Sequence, residues 1–182
     1  MKSSKTLSAI TLGLLTAIFM MPPSVNGQDN PKLSDAEVAN VAVTANQIDI
    51  DYAAIAKRKS RTEAVVQFAA TMASDHKAVI DKAVALVTKL KVTPQDNAVS
   101  KQLLADAAKT KAKLNALSGK AFDKAYIDNE VAYHKAVIAA IEGLLIPESE
   151  NAELKGLLEG VLPAFKAHLK HAEMVQKMHT AK

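Results

Sequence analysis

Five residues able to ligate a metal ion or carry a proton fall where helical spacing turns them away from solvent: Asp49, His76, Glu130, His134 and His168. On a wheel of about 100° per residue, His76 lies near the middle of the apolar stripe formed by Phe68, Ala69, Met72, Ala73, Val79 and Ile80. Glu130 and His134, one turn apart, lie inside the stripe of Phe122, Tyr126, Ile127, Val131, Val137 and Ile138. Asp49 lies near the face that carries Val41, Ala45, Ile48 and Tyr52, and His168 lies inside the last apolar stripe. By the same construction Asp51 points outward, while Asp75 and His171 sit at the margins. Ionisable side chains are rarely buried without partners, so the set calls for one of three accounts. Neutral imidazoles and carboxylates together make a site for a transition-metal ion, zinc or copper included. Alternatively, with Tyr126, they hydrogen-bond one another as a buried network that fixes helix register. The third account is a solvated cleft or small-ligand pocket opened by a kink at Pro163.

The spacing narrows the metal chemistry. Two-metal carboxylate bundles take a glutamate from each of two helices and a Glu-x-x-His from each of the others, and Glu-x-x-His occurs nowhere in this chain. Glu130-x-x-x-His134 and His168-x-x-His171 each offer two ligands, which suits a single ion better than a di-iron centre. Met174 and Met178 beside His171 and His179 resemble a soft-metal tail, although helix packing accounts for methionines at that spacing as well. No nucleophile stands at a recognisable distance from a base, and no glycine-rich phosphate loop is present.

Long helices must position these residues. Alanine is abundant, aromatic residues are only 4%, and six glycines and six prolines are spread over 182 residues, a composition that favours helix over sheet. Ser34 with Glu37 reads as a capping box opening a helix to about Lys59. Ser60 with Glu63 reads as a second box, opening a helix to about Lys91 ahead of Pro94. A more polar helical stretch spans Asp96 to Leu117, and a fourth helix runs from about Lys120 to Leu145, closed by Pro147. The last spans about Ser149 to Met178, with Pro163 expected to kink or split it.

The Asp96–Leu117 stretch is long enough to return along the second helix. The expected fold is therefore all-α: a ferritin-like four-helix bundle over residues 34–180, with a helical crossover between the second and fourth helical segments. Counting 1.5 Å per residue from the shared end brings Asp49 level with Glu130, and His76 level with His134 one or two turns deeper. His76 should then face His134 across the axis, while His168 falls near Tyr126.

Residues 1–27 read as a signal peptide. Lys2 and Lys5 precede an apolar run from Leu7 to Met21, and Val25-Asn26-Gly27 forms a small-residue cleavage site before Gln28. Residues 28–33 read as a disordered mature N-terminus, and no transmembrane span is expected once the leader is gone. Leader removal takes two lysines and no acids, lowering a formal charge of only +4, so neither concentrated charge nor an aromatic platform recommends a nucleic-acid partner. Without cysteine, export brings no disulfide framework. Lys57-Arg58-Lys59-Ser60-Arg61 suits contact with an anionic envelope surface, but better suits the dipole at a helix C-terminus.

Several stretches together resemble a known family: Ile48-Asp49-Ile50, the run Phe68 to His76, the run Gly119 to Ile127, Tyr133-His134, and Leu162-Pro163-Ala164-Phe165-Lys166-Ala167-His168-Leu169. This order is similar to an exported bacterial family, domain of unknown function 4142, whose members are often labelled outer-membrane proteins. The likeness covers Ser34 to Met178. It implies a ferritin-like helical fold and an envelope location, and brings no assigned catalytic residues. Asp49 departs from it, since a glutamate is the family's expected residue there. The resulting expectation is a periplasmic or envelope-associated binding or structural protein rather than an enzyme. The competing class is a metal-dependent redox protein holding a transition-metal ion inside the bundle.

Overall fold

The computed structural model describes residues 31–180. Among them the chain is helical, with α1 (Asp35–Lys59), α2 (Glu63–Leu90), α3 (Ala98–Ala116), α4 (Gly119–Ala140) and α5 (Ala152–Thr180). α4 is prolonged by a π-helical turn, Ile141–Leu145, and a last short turn, Ile146–Glu148. The widened turn precedes Pro147, whose ring in a regular α-helix would press on the carbonyl of Gly143. The signal-peptide reading of residues 1–27 lies outside the described residues. Leu33, at the end of the stretch expected to be disordered, is buried and donates its N–H to the Glu148 carboxylate at 3.1 Å. The chain is therefore packed from at least that residue onward.

The Ser34–Glu37 capping box opens α1 as the sequence suggests, each side chain pairing with the other's backbone N–H. The second box does not form. Ser60 instead ends α1, giving its N–H to the Ala56 carbonyl, and Thr62 is the residue before α2. Thr62 does not cap with its side chain because its hydroxyl is engaged across the bundle, 2.6 Å from Asp123 Oδ2. The basic run at Lys57 serves the end of α1: Arg58 donates to the Ala54 carbonyl, and Lys59 donates to the Asn115 carbonyl.

Those contacts also settle the connectivity. The Thr62–Asp123 bond puts the start of α4 at the α1–α2 corner, with the end of α3 beside it through Lys59 and Asn115. At the opposite end, Gln95 N–H donates to the Ala36 carbonyl, and Lys89 of α2 pairs with Glu153 of α5. α2 and α4 therefore run parallel, and α3 returns the chain along the outside of α1, which is the expected crossover. Around the bundle the neighbours run α1, α2, α5, α4. Between α3 and α4, Gly119 turns the chain at φ +54°, a conformation that glycine adopts without strain.

α5 departs from expectation at both ends. Ser149 turns back to the Leu145 carbonyl, and Asn151 Oδ1 accepts from the N–H groups of Glu153 and Leu154 to open the helix three residues later than read. Pro163 neither splits nor ends it, and the helix runs unbroken to Thr180. Packing of α5 against both α2 and α4 holds the turn that proline deprives of one hydrogen bond.

The apolar core has two parts. One lies towards the α1–α2 corner and contains Ile48, Phe68, Met72, Phe122 and Tyr126. The other lies towards the opposite end and contains Val38, Val41, Ile141, Leu158 and Phe165. The polar residues meet between them.

Candidate metal centre

Each of α1, α2, α4 and α5 delivers one or two of the five singled-out residues to one level of the bundle. Asp49 and Glu130 are 0% exposed, His134 1%, His76 2% and His168 6%; burial this deep leaves every polar atom dependent on partners within the protein. The wheel assignments hold for the rejected residues too, with Asp51 and Asp75 lying towards solvent. Met174 and Met178, the suggested soft-metal tail, stand on the surface, both more than half exposed.

Hydrogen bonds fix which nitrogen of each ring carries its proton. Asn46 Nδ2 donates to the Ala42 carbonyl at 2.8 Å, so Asn46 Oδ1 faces His76 and accepts from its Nδ1–H at 2.8 Å. His134 Nδ1 lies 3.0 Å from the Glu130 backbone carbonyl, which can only accept. His168 Nε2 lies 2.9 Å from Asp75 Oδ2, again an acceptor. In the neutral rings the lone pairs are thereby left on His76 Nε2, His134 Nε2 and His168 Nδ1. All three of these nitrogens are buried without a hydrogen-bond partner. An imidazole held by one nitrogen on a carbonyl, amide or carboxylate, with the other bare, is the arrangement that orients histidine for a metal.

The carboxylates complete the convergence. Asp49 Oδ2 is 3.4 Å from His76 Nε2 and 3.7 Å from His134 Nε2, and Glu130 Oε2 is 3.6 Å from His134 Nδ1. These separations exceed a good hydrogen bond, and both oxygens of Asp49 and of Glu130 lack partners. Ligand atoms of His76, His134 and His168 lie within 4.8 Å of one another, as do those of Asp49, Glu130 and His134. Ligands sharing an ion tetrahedrally at about 2.0–2.1 Å each stand about 3.4 Å apart, so the widest of these separations would have to close by about 1.4 Å. The space enclosed by Asp49, His76, His134, Asn46 and Tyr133 admits no water-sized sphere, so it has no room for a water bridging Asp49 to either ring.

Burial sets the electrostatics. It raises the Asp49 carboxyl to about 7 and drives Glu130 well above the ordinary carboxylate range, the nearby Asp49 charge adding to the latter. It lowers His76 to about 3, with His134 and His168 adding repulsion, and lowers His134 to about 4. Charge is thus disfavoured on Asp49, Glu130, His76 and His134. Two carboxylates and three imidazoles match a divalent cation, which would cancel both negative charges.

No hydrogen bond joins the side chains of these five residues and Tyr126 to one another, the shortest contact being the 3.4 Å between Asp49 and His76. The Tyr126 hydroxyl, read as a member of a hydrogen-bonded network, is fully buried with no partner. The height of His168 also differs from expectation. Its ring lies 5.3 Å from that of His76 and 5.6 Å from that of His134, whereas the ring one turn further on, His171, reaches the Tyr126 level by packing 5.1 Å from Phe68. α5 begins three residues later than read, which leaves His168 about 4.5 Å nearer the end where the helix starts and so deeper from the α1–α2 corner. His76 and His134 do face each other, their ring centroids 5.6 Å apart. Asn46 and Asp75, which orient two of the rings, escape a reading of the sequence; for Asn46 the available signal was its place three residues before Asp49 on the same stripe.

Fold and cluster together define a helical bundle with an external crossover helix and a core of three imidazoles and two carboxylates. The chain belongs to the family described as domain of unknown function DUF4142, whose model matches residues 20–175. No curated protein and no solved structure matches it.

Proposed function

We propose that this protein binds one divalent first-row transition-metal ion in the bundle core, through His76 Nε2, His134 Nε2, His168 Nδ1 and Asp49, with Glu130 as the adjoining carboxylate. The observation that carries the reading is the three bare ring nitrogens, each opposite a nitrogen already tied to an acceptor, converging on two unpaired carboxylates. A mixed nitrogen and oxygen donor set favours zinc, iron, manganese, nickel or copper(II) over magnesium or calcium, and the absence of thiolate disfavours copper(I). Such an ion ties α1, α2, α4 and α5 at one level, a structural role in itself. The same donors also suit a metal that changes oxidation state. Elemental analysis of untagged protein, as isolated and after incubation with each of these ions, should find one ion per chain. A chain that takes up none of them refutes the reading.

The place of action follows from the leader. Lys2, Lys5, the apolar run to Met21 and the cleavage site at Gly27 support export to the periplasm or envelope. No helix among the described residues is long and apolar enough to cross a membrane. Intact mass of the exported protein should correspond to a chain beginning at Gln28, and retention of residues 1–27 would refute the cleavage.

A further inference from the structure

Beside the metal-site residues lies a second feature that the ion does not use. A cavity of about 660 Å³ lies along α1 between α3, α4 and α5, its lining running from Leu154 and Leu158 to Tyr52 and Asn129. Along α1 its wall spans Ala39 to Tyr52, a rise of about 20 Å, so its mean cross-section is roughly 30 Å². That length accommodates one extended hydrocarbon chain. Small side chains create the space: Ala42 and Ala45 on α1 face Ala132 and Ala136 on α4, and the far end is closed by Leu158 and Val161.

Most polar groups on the wall are already engaged. Tyr133 donates to the Ala45 carbonyl at 2.8 Å, and the Asn46 amide is shared between Ala42 and His76. Tyr133, Asn46 and Phe165 therefore partition the cavity from the metal-site residues and offer an entering molecule only apolar surface. The wall beside α3 is different. Lys109 of α3 stands there, sharing its ammonium with the exposed Asp106 at 2.9 Å, and Asn129 of α4 presents a buried Nδ2 with no hydrogen-bond acceptor. α3 carries Lys101, Lys109, Lys111 and Lys113 against a single acid of its own, Asp106, while Lys111 pairs with Asp51 of α1. A long apolar interior with donors and cations at one end is complementary to an anionic amphiphile.

We propose that this cavity binds a long-chain fatty carboxylate, its hydrocarbon chain lying along the bundle between α1 and α4 and its carboxylate at Asn129 and the α3 lysines. Crossover helix and bundle thereby form a lipid-binding site distinct from the metal centre and independent of it.

Titration of the full mature chain with a fluorescent polyene fatty acid, displaced by palmitate, tests the proposal. Saturable binding of one molecule per chain is expected. Ala132→Trp and Ala136→Trp fill the cavity from exposed positions and should each weaken binding at least about tenfold, whereas Ala139→Trp, exposed on the same helix but off the wall, should not. Lys109→Glu should weaken palmitate about 3- to 10-fold without weakening a quaternary-ammonium amphiphile of equal chain length. Unsaturable binding, wild-type affinity in both tryptophan variants, or a cavity closed by a second copy of the chain in a stable dimer would each overturn it. Metal content measured on the same samples reports separately on the metal centre, so failure of one reading is distinguishable from failure of the other.

Discussion

Asp49→Asn should make the metal-free protein more stable while abolishing its response to metal ions. In the folded chain Asp49 has a carboxyl group pushed to about 7 by burial, against an ordinary value of 3.8. A raised carboxyl contributes its full stabilisation below about pH 4, and that contribution is lost as pH rises through 7, because the unfolded chain ionises there more readily than the folded one. At pH 7 to 8 the penalty is on the order of 2–4 kcal/mol. Asparagine removes it at constant shape and supplies an amide N–H to the bare Nε2 of His76 or His134, now 3.4 and 3.7 Å from Asp49 Oδ2. The metal-free melting temperature should therefore rise by several degrees at pH 7.5, with little change at pH 4.5, in thermal denaturation with chelator present. If Asp49 instead anchored a hydrogen-bonded network, the same change would lower the melting temperature. The sign of the shift thus separates a structural network from a site that gives up stability for a ligand.

The parts of this arrangement legible in the sequence share one property, the period of the helix. Asp49, His76, Glu130, His134 and His168 could be turned inward because each lies on an apolar stripe with a 3.6-residue repeat, and all five are buried. The length of α3 sufficed to expect a crossover, since only a stretch that long spans the bundle. What failed depends on contacts between helices, which no local pattern records. Ser60 has the spacing of a capping residue, but Thr62 reaching Asp123 fixes where α2 begins. Pro163 has the chemistry of a break, but neighbours on two sides hold α5 through it. The depth of His168 is a sum over residues and inherits the error in each helix end. The apolar cavity was illegible for a related reason. Nothing local marks Ala42, Ala45, Ala132 and Ala136 as bordering open space, and only the separation of the helices shows that they line it.

Adding a bound ion reverses the pH dependence set by the carboxylates. At pH 7.5 saturation of the wild-type chain with its ion at about a thousand times its dissociation constant should add about 4 kcal/mol, or about 8–16 °C in melting temperature for a chain of this size. The increment should shrink steadily towards pH 5. Burial raises Asp49 and Glu130, so below about 7 the ion must displace protons from carboxyls that hold them tightly. His76 and His134, lowered to about 3 and 4, remain neutral down to those values and impose no such competition while the chain is folded. The decline should therefore follow the carboxyls, and calorimetry in buffers of different ionisation enthalpy should detect one to two protons released per ion near pH 6.5. His76→Ala and His134→Ala each remove a nitrogen whose partner atom is fixed inside the core, by Asn46 and by the Glu130 carbonyl, and should abolish the increment. His168 is oriented by Asp75, which is half-exposed, so His168→Ala should weaken the ion by about 10- to 100-fold rather than abolish it. An increment that survives both His76→Ala and His134→Ala would place the ion elsewhere on the chain. One that grows towards pH 5 would exclude the carboxylates from its ligands.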